Sequence, residues 1–165
     1  MELANQYSYI IFSAALIAII LGIIRIALRL RWPLIAAAGV ILSTAALLLF
    51  IIVRPGSSDV DSLSEADSIL SNGHPTLIEF FSNYCVGCIT VRPAVDELAG
   101  NIRARYNDSF NVLRIDIHTS LGRALRERYG FSFTPEFILL GPDGSEIWRG
   151  HAPPGLDTVA LLAAS

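Results

Sequence analysis

From Trp32 to Val53 the chain runs for 22 residues without a charge, and from Tyr9 to Leu28 it runs for 20 with only Arg25 near the end. No other feature constrains the fold as much. A helix of 22 residues reaches roughly 33 Å at about 1.5 Å per residue, enough to cross the hydrocarbon of a bilayer. Arg25 lies close enough to the end of its run to snorkel to the headgroups. The sequence therefore predicts a transmembrane helical hairpin over residues 1–54, with spans at about 9–28 and 32–53.

The turn between the runs carries Arg25, Arg29 and Arg31, whereas no Lys or Arg precedes the first run and only Arg54 closely follows the second. Basic residues are retained on the cytoplasmic side. The expectation is an integral protein of the cell or inner membrane, with the turn inside and both termini on the extracytoplasmic side. Tyr7, Tyr9 and Trp32 suit the interfaces, and Pro33 suits the first turn of the second helix, where its missing N–H costs little. A secretory leader would carry its basic residues ahead of the apolar run and would leave the second run unexplained.

Beyond Arg54 there are eight Arg against fourteen Asp and Glu, a formal charge of −6. The Arg residues are dispersed and form no basic stripe, which excludes a nucleic-acid binder. Arg123, Arg126 and Arg128 read as one solvated helix face. Residues 55–61 form a polar linker, and 62–165 a second unit. Its pattern begins with a helix capped by Ser62 or Ser64 that runs to about Ser71 and stops at Asn72-Gly73. The apolar run Thr76–Ser82 is too short for a helix and reads as a buried strand. A helix follows to about Tyr106, with Val91, Val95, Leu98 and Ile102 at helical spacing and a kink at Pro93. Asn111–Ile117 alternates as a strand, and Ser120–Tyr129 is a helix stopped by Gly130. Glu136–Leu140 and Ser145–Arg149 are strands joined by the turn Gly141-Pro142-Asp143-Gly144, and Leu156–Ala164 is a last short helix. That order predicts an α/β fold, a mixed central sheet with helices on both faces.

The only two cysteines stand as Cys85-Val86-Gly87-Cys88, where the strand hands over to the helix. At a helix N-terminus the first thiol, expected to be exposed, is favoured as thiolate by the helix dipole, and the second lies within reach to resolve a mixed disulfide. This is the pattern of a redox-active disulfide. A purely structural bond is the plainer alternative, but closing a four-residue loop would constrain the unfolded chain very little. A zinc site lacks ligands, because His74, His118 and His151 are scattered; they read as surface residues without a role. Haem attachment would need His at position 89, which is Ile. The pair is its own redox group, so neither cofactor nor metal is expected.

Four features together carry a family resemblance: Phe80-Phe81 before the pair, the pair itself, Pro93 five residues after it, and Phe133-Thr134-Pro135 opening a strand before a Gly-Pro-Asp-Gly turn. The region from about Ser62 to Ala164 resembles the thioredoxin fold, and with its anchor the chain is similar to membrane-tethered thioredoxin-like thiol–disulfide oxidoreductases. The resemblance implies that Cys85 attacks and Cys88 resolves. It implies that Pro135 follows a cis peptide bond against the disulfide, and that the exposed backbone of Thr134 pairs with an extended partner. It makes Glu79 the buried acid that takes and returns the proton of Cys88, with Arg114 tuning it. The plainer alternatives are that Glu79 is an edge residue facing water, against which its place in a run of large apolar residues argues, and that Pro135 is a trans edge-strand proline.

The family's usual Trp is Tyr84 here, a flat wall for a partner or a mere packing residue. The residue after the second cysteine, often basic in the family, is Ile89, and the intervening pair Val86-Gly87 matches neither reductases nor strong oxidants. The implied function is cell redox homeostasis, by exchange with extracytoplasmic protein thiols and disulfides. Glu79 resembles the reductase arrangement, which would require an electron-delivering membrane partner. The alternative is a non-catalytic binding module, or a copper carrier using the same cysteines.

Overall fold

The computed structural model describes residues 2–163. A short helix α1 (Glu2–Gln6) breaks at Tyr7 and leads into α2 (Ser8–Leu28), which is followed by α3 (Trp32–Val53). Arg29, in the left-handed region at φ 48°, ends α2, and Pro33 stands in the first turn of α3, where the ring is pre-set for a helix. Both long helices are long and apolar enough to cross a membrane. The described side chains of α2 include no buried one, and Ile35 alone is buried in α3. These are therefore not core helices of a water-soluble domain. The Tyr9 hydroxyl donates to the Ala46 carbonyl at 2.8 Å and ties one long helix to the other.

The α/β part opens with α4 (Leu63–Leu70), whose first turn is capped by Ser62 Oγ accepting the Glu65 N–H at 3.2 Å. Strands β1 (Thr76–Phe81), β2 (Asn111–Asp116), β3 (Glu136–Leu140) and β4 (Glu146–Gly150) form one sheet in the order β2-β1-β3-β4. β1 pairs with β2 in parallel and with β3 antiparallel, and β3 pairs with β4 antiparallel, so the sheet is mixed. The parallel pair needs a crossover. That is α5 (Val86–Tyr106), which runs unbroken through Pro93 and ends in a 3-10 turn at Asn107–Ser109. Helix α6 (Ser120–Tyr129) is capped by Thr119 and closed by Gly130 at φ 63°, and α7 (Leu156–Ala163) ends the described chain. Ala164, the expected last residue of that helix, lies outside the described residues.

All six residues of β1 are buried, as a central strand covered on both faces requires. The period of two then divides the core. Ile78 and Phe80 join Leu113, Ile115, Ile138 and Leu140 against α4 and α6, with Ala66, Leu121 and Leu125. Leu77 joins Phe137 and Leu139 against α5 and α7, with Val95, Leu98, Ile102 and Val159. Glu79 shares the second face, between Leu77 and Phe81. The segment 56–60 lies along β2: Asp59 N–H donates to the Arg114 carbonyl at 3.0 Å, and Asp116 N–H to Ser58 Oγ at 2.9 Å.

Candidate active site

Cys85 is the N-cap of α5, its extended backbone carrying β1 into the helix, and its sulfur accepts the Cys88 N–H at 3.3 Å. Capping by a sulfur puts the first thiol at the positive end of the helix dipole. The two sulfurs are free thiols, and both side chains are fully buried with Phe81. The burial of Cys85 corrects the expectation of an exposed first thiol. Residues 5–9, from the end of α1 into the first turn of α2, lie over the redox loop. They hold it through contacts of residues far apart in sequence, which leave no local pattern.

The two thiols are electrostatically unequal. The Cys88 thiol hydrogen-bonded to it pulls Cys85 down to about 6 against the opposing effect of burial, helped by Thr134 and by the amides of Cys88 and Gly87. Burial pushes Cys88 far up, and the neighbouring Cys85 adds to the effect. At neutral pH this leaves one thiolate beside one protonated thiol, the charge state needed for attack by the first sulfur and delayed attack by the second.

Glu79 is 2% exposed. Burial raises its carboxyl above the ordinary value; Arg114 opposes that, its Nε donating to Oε2 at 2.7 Å. The two meet because β1–β2 register sets Glu79 opposite Arg114. Arg114 is held in turn by Asp96, at 2.8 Å from Nη1, and by Asp59, which accepts its backbone N–H at 2.8 Å. The second oxygen, Oε1, is buried and has no hydrogen-bond partner among the described residues.

The Thr134–Pro135 peptide is cis, and both residues are buried. The Thr134 carbonyl accepts the Cys85 thiol at 3.7 Å. Pro135 lies against the redox loop: a Cβ added at Gly87 would stand 3.4 Å from its Cδ and 3.6 Å from the Cys85 sulfur. Tyr84, read as a wall for a partner or as a packing residue, is stacked on the chain's own Tyr7 and Phe50, with ring centroids 5.6 and 5.4 Å apart. Ile89 follows Cys88 inside the first turn of α5 and supplies no charge there.

Sequence reasoning missed Ser82 and His118. The Ser82 hydroxyl donates to the Gln6 carbonyl at 2.9 Å and accepts the Tyr84 N–H at 3.1 Å. With its proton so committed, the 2.9 Å contact with His118 Nε2 makes that nitrogen the donor, which leaves Nδ1 bare toward the Tyr7 hydroxyl at 3.5 Å. His118 is thus no free surface residue. The register Phe81↔Asp116 was the available signal, because parallel strands bring the residues just past their ends together.

Fold and site together define a thioredoxin-like domain, with two cysteines set at a strand–helix junction. Residues 60–153 match the family described as Thioredoxin, and the chain belongs to the thioredoxin family. It is 31% identical over 122 residues to the thiol:disulfide interchange protein TxlA homolog of Synechocystis sp., covering 72% of this chain and 66% of that one. It is also 31% identical over 107 residues to the thioredoxin-like protein HCF164, chloroplastic, of Arabidopsis thaliana, covering 62% and 40%. The chain thus spans less than two thirds of the length of these relatives. Among solved structures, a mutant thioredoxin from Halobacterium salinarum is similar at a TM-score of 0.48 and 24% identity, over 64% of this chain and 86% of that one.

Proposed function

We propose that the chain is a membrane-tethered reductase of protein disulfides on the extracytoplasmic side, working through Cys85 and Cys88. The observation that carries this reading is the inequality of the two thiols, one drawn down to about 6 and the other pushed up by burial. In the forward reaction the Cys85 thiolate attacks one sulfur of a partner disulfide, and the partner's other sulfur leaves as a thiolate. Cys88 gives its proton to Glu79 and attacks the Cys85 sulfur, releasing the partner's second thiolate. Two electrons pass to the partner, whose two thiolates take one proton back from Glu79 and one from solvent to leave as thiols, and Cys85–Cys88 becomes a disulfide. Thr134 and Pro135 hold the partner beside the sulfurs, and Tyr84 contributes its wall once its own neighbours part.

The tether rests on the two long helices, whose exposed side chains include Ile10, Phe12, Leu16, Ile19, Val40, Ile41 and Ile52. Such a continuous apolar surface is stable in lipid and not in water. The side rests on Arg25, Arg29 and Arg31 in the turn between them. Outside the cytoplasm the pair needs electrons delivered through the membrane, so the proposed partners are protein disulfides and a membrane electron donor.

The test is reduction of insulin by the full chain in detergent micelles with dithiothreitol as electron source, beside Cys85→Ser. Turnover in the wild type that vanishes in the variant supports the reading. No turnover in either, with a stoichiometric copper ion held by the thiols, would assign the protein to metal carriage instead.

A further inference from the structure

We propose that residues Asn5–Tyr9 are a built-in cap over Cys85, which must be displaced before a partner disulfide can reach the thiol. The inference rests on the reading of Cys85 as the attacking thiol. Five consecutive residues each grip the site. The Thr134 hydroxyl donates to Asn5 Oδ1 at 2.9 Å, and the Ser82 hydroxyl donates to the Gln6 carbonyl at 2.9 Å. The Tyr7 ring stacks on Tyr84 and lies 5.1 Å from the ring of His118. The Val86 N–H donates to Ser8 Oγ at 2.9 Å, and the Tyr9 N–H to the Tyr84 carbonyl at 2.8 Å.

These contacts reach every segment that surrounds the first thiol: the end of β1, the redox loop, the first residue of α5 and the loop before β3. Val86 N–H is one of the amides that a helix start leaves without an internal partner, and here it is taken by the cap and not by a partner protein. Gln6 is 5% exposed and Cys85 0%. Disulfide exchange needs the attacking sulfur to meet a partner sulfur directly, so a thiol with no exposed surface reacts only through local openings, however complete its ionisation.

The cap also has a defined way to open. It spans the end of the short α1, the break at Tyr7 and the first residues of the long α2, and at Tyr7 the backbone already departs from helix, with φ −114° and ψ 20°. Its contacts are hydrogen bonds and one aromatic stack, which a competing polypeptide can replace one for one at Thr134, Val86 and Tyr84. A small disulfide has no groups with which to do so. The cap therefore selects partners long enough to engage several of these positions at once, and it protects the dithiol from adventitious exchange.

The test is alkylation of the reduced full chain in detergent micelles by iodoacetamide, with each cysteine followed separately by mass spectrometry. The variants are the double substitution Asn5→Ala with Ser8→Ala, and Tyr7→Ala. Each hydrogen bond removed shifts a local opening equilibrium by a factor of roughly 2 to 10, so Cys85 should label about tenfold faster in the variants while Cys88 stays protected. Tyr7→Phe keeps the stack and should label close to the wild-type rate. If Tyr7→Ala unfolds, seen as both cysteines labelling together, the double variant decides, because it leaves the aromatic packing intact. Labelling of Cys85 at the wild-type rate in the double variant, with Cys85-dependent insulin reduction retained, overturns the cap and leaves the proposed function standing. Faster labelling without exchange in any form upholds the cap and overturns the proposed function.

Discussion

At the residue scale, the chemistry is set by what each polar atom near the sulfurs is allowed to keep. Cys85 shares in hydrogen bonds that favour its anion, whereas Cys88 lies behind it in an apolar cluster with Phe81. Alkylation of Cys85 should therefore rise with pH through about 6 and level off well below the range of an ordinary thiol. The sign follows from the direction of the shift: a depressed thiol is already anionic above its own pKa and loses reactivity only as pH falls through it. A midpoint between pH 8 and 9, followed by mass spectrometry, would contradict this. Glu79 carries the opposite shift because burial outweighs Arg114, so it can hold a proton at a pH where an exposed carboxylate cannot. Glu79→Gln removes the proposed proton acceptor for Cys88. It should slow turnover by about 10² and leave Cys85 joined to the partner, since general-base assistance is worth on the order of 10² to 10⁴. Quenched samples of the variant should show the mixed disulfide accumulating; unchanged turnover without that species would remove Glu79 from the mechanism.

At the scale of elements, two glycines separate packing from propensity. Gly100 lies in α5 with nothing within 4 Å of an added Cβ, so Gly100→Ala should raise stability by about 0.5–1 kcal/mol through helix propensity. Gly122 lies in α6, where an added Cβ would run into the backbone of Asp116 and Ile117. No side chain can swing aside there, so Gly122→Ala should lower stability by about 2 kcal/mol or more. Urea unfolding of both variants checks the pair, and a stabilised Gly122→Ala would show that α6 does not press on the end of β2. The elements themselves were largely legible in the sequence, because β1 is one apolar run, Ser62 and Gly130 are strong cap and stop signals, and β3 and β4 flank a turn of Gly, Pro and Asp. The short α1 was not. Nor was the covering of Cys85, or the place of His118 beside Ser82, since these depend on pairs such as Thr134 with Asn5 and Ser82 with Gln6. Local periodicity carries no information about contacts of that separation. Arg114 beside Glu79 was implied by the family resemblance alone, and the register of β1 with β2 supplies the physical reason for it.

At the scale of the whole molecule, the α/β unit is fastened to the hairpin at both ends of the long helices' outer rim. The residues around the start of α2 grip the redox loop, and Arg92 Nη1 donates to the carbonyl of Arg54, just past α3, at 2.7 Å. The dithiol therefore faces the end of the hairpin from which α2 starts and at which α3 finishes. If the turn with Arg25, Arg29 and Arg31 is cytoplasmic, a cysteine placed in the exposed turn by Asp143→Cys, with Cys85→Ser and Cys88→Ser, should react with a membrane-impermeant maleimide in intact cells. Protection until the cells are lysed would put the unit on the other side. The central claim, that the chain is a dithiol reductase, is tested most directly by the reduction potential of the Cys85–Cys88 couple, measured on the full chain equilibrated in dithiothreitol redox buffers. The account predicts a reversible two-electron couple near the potential of reducing thioredoxins, about −270 mV. A value near −120 mV, that of a strong oxidant, or the absence of any couple would contradict it.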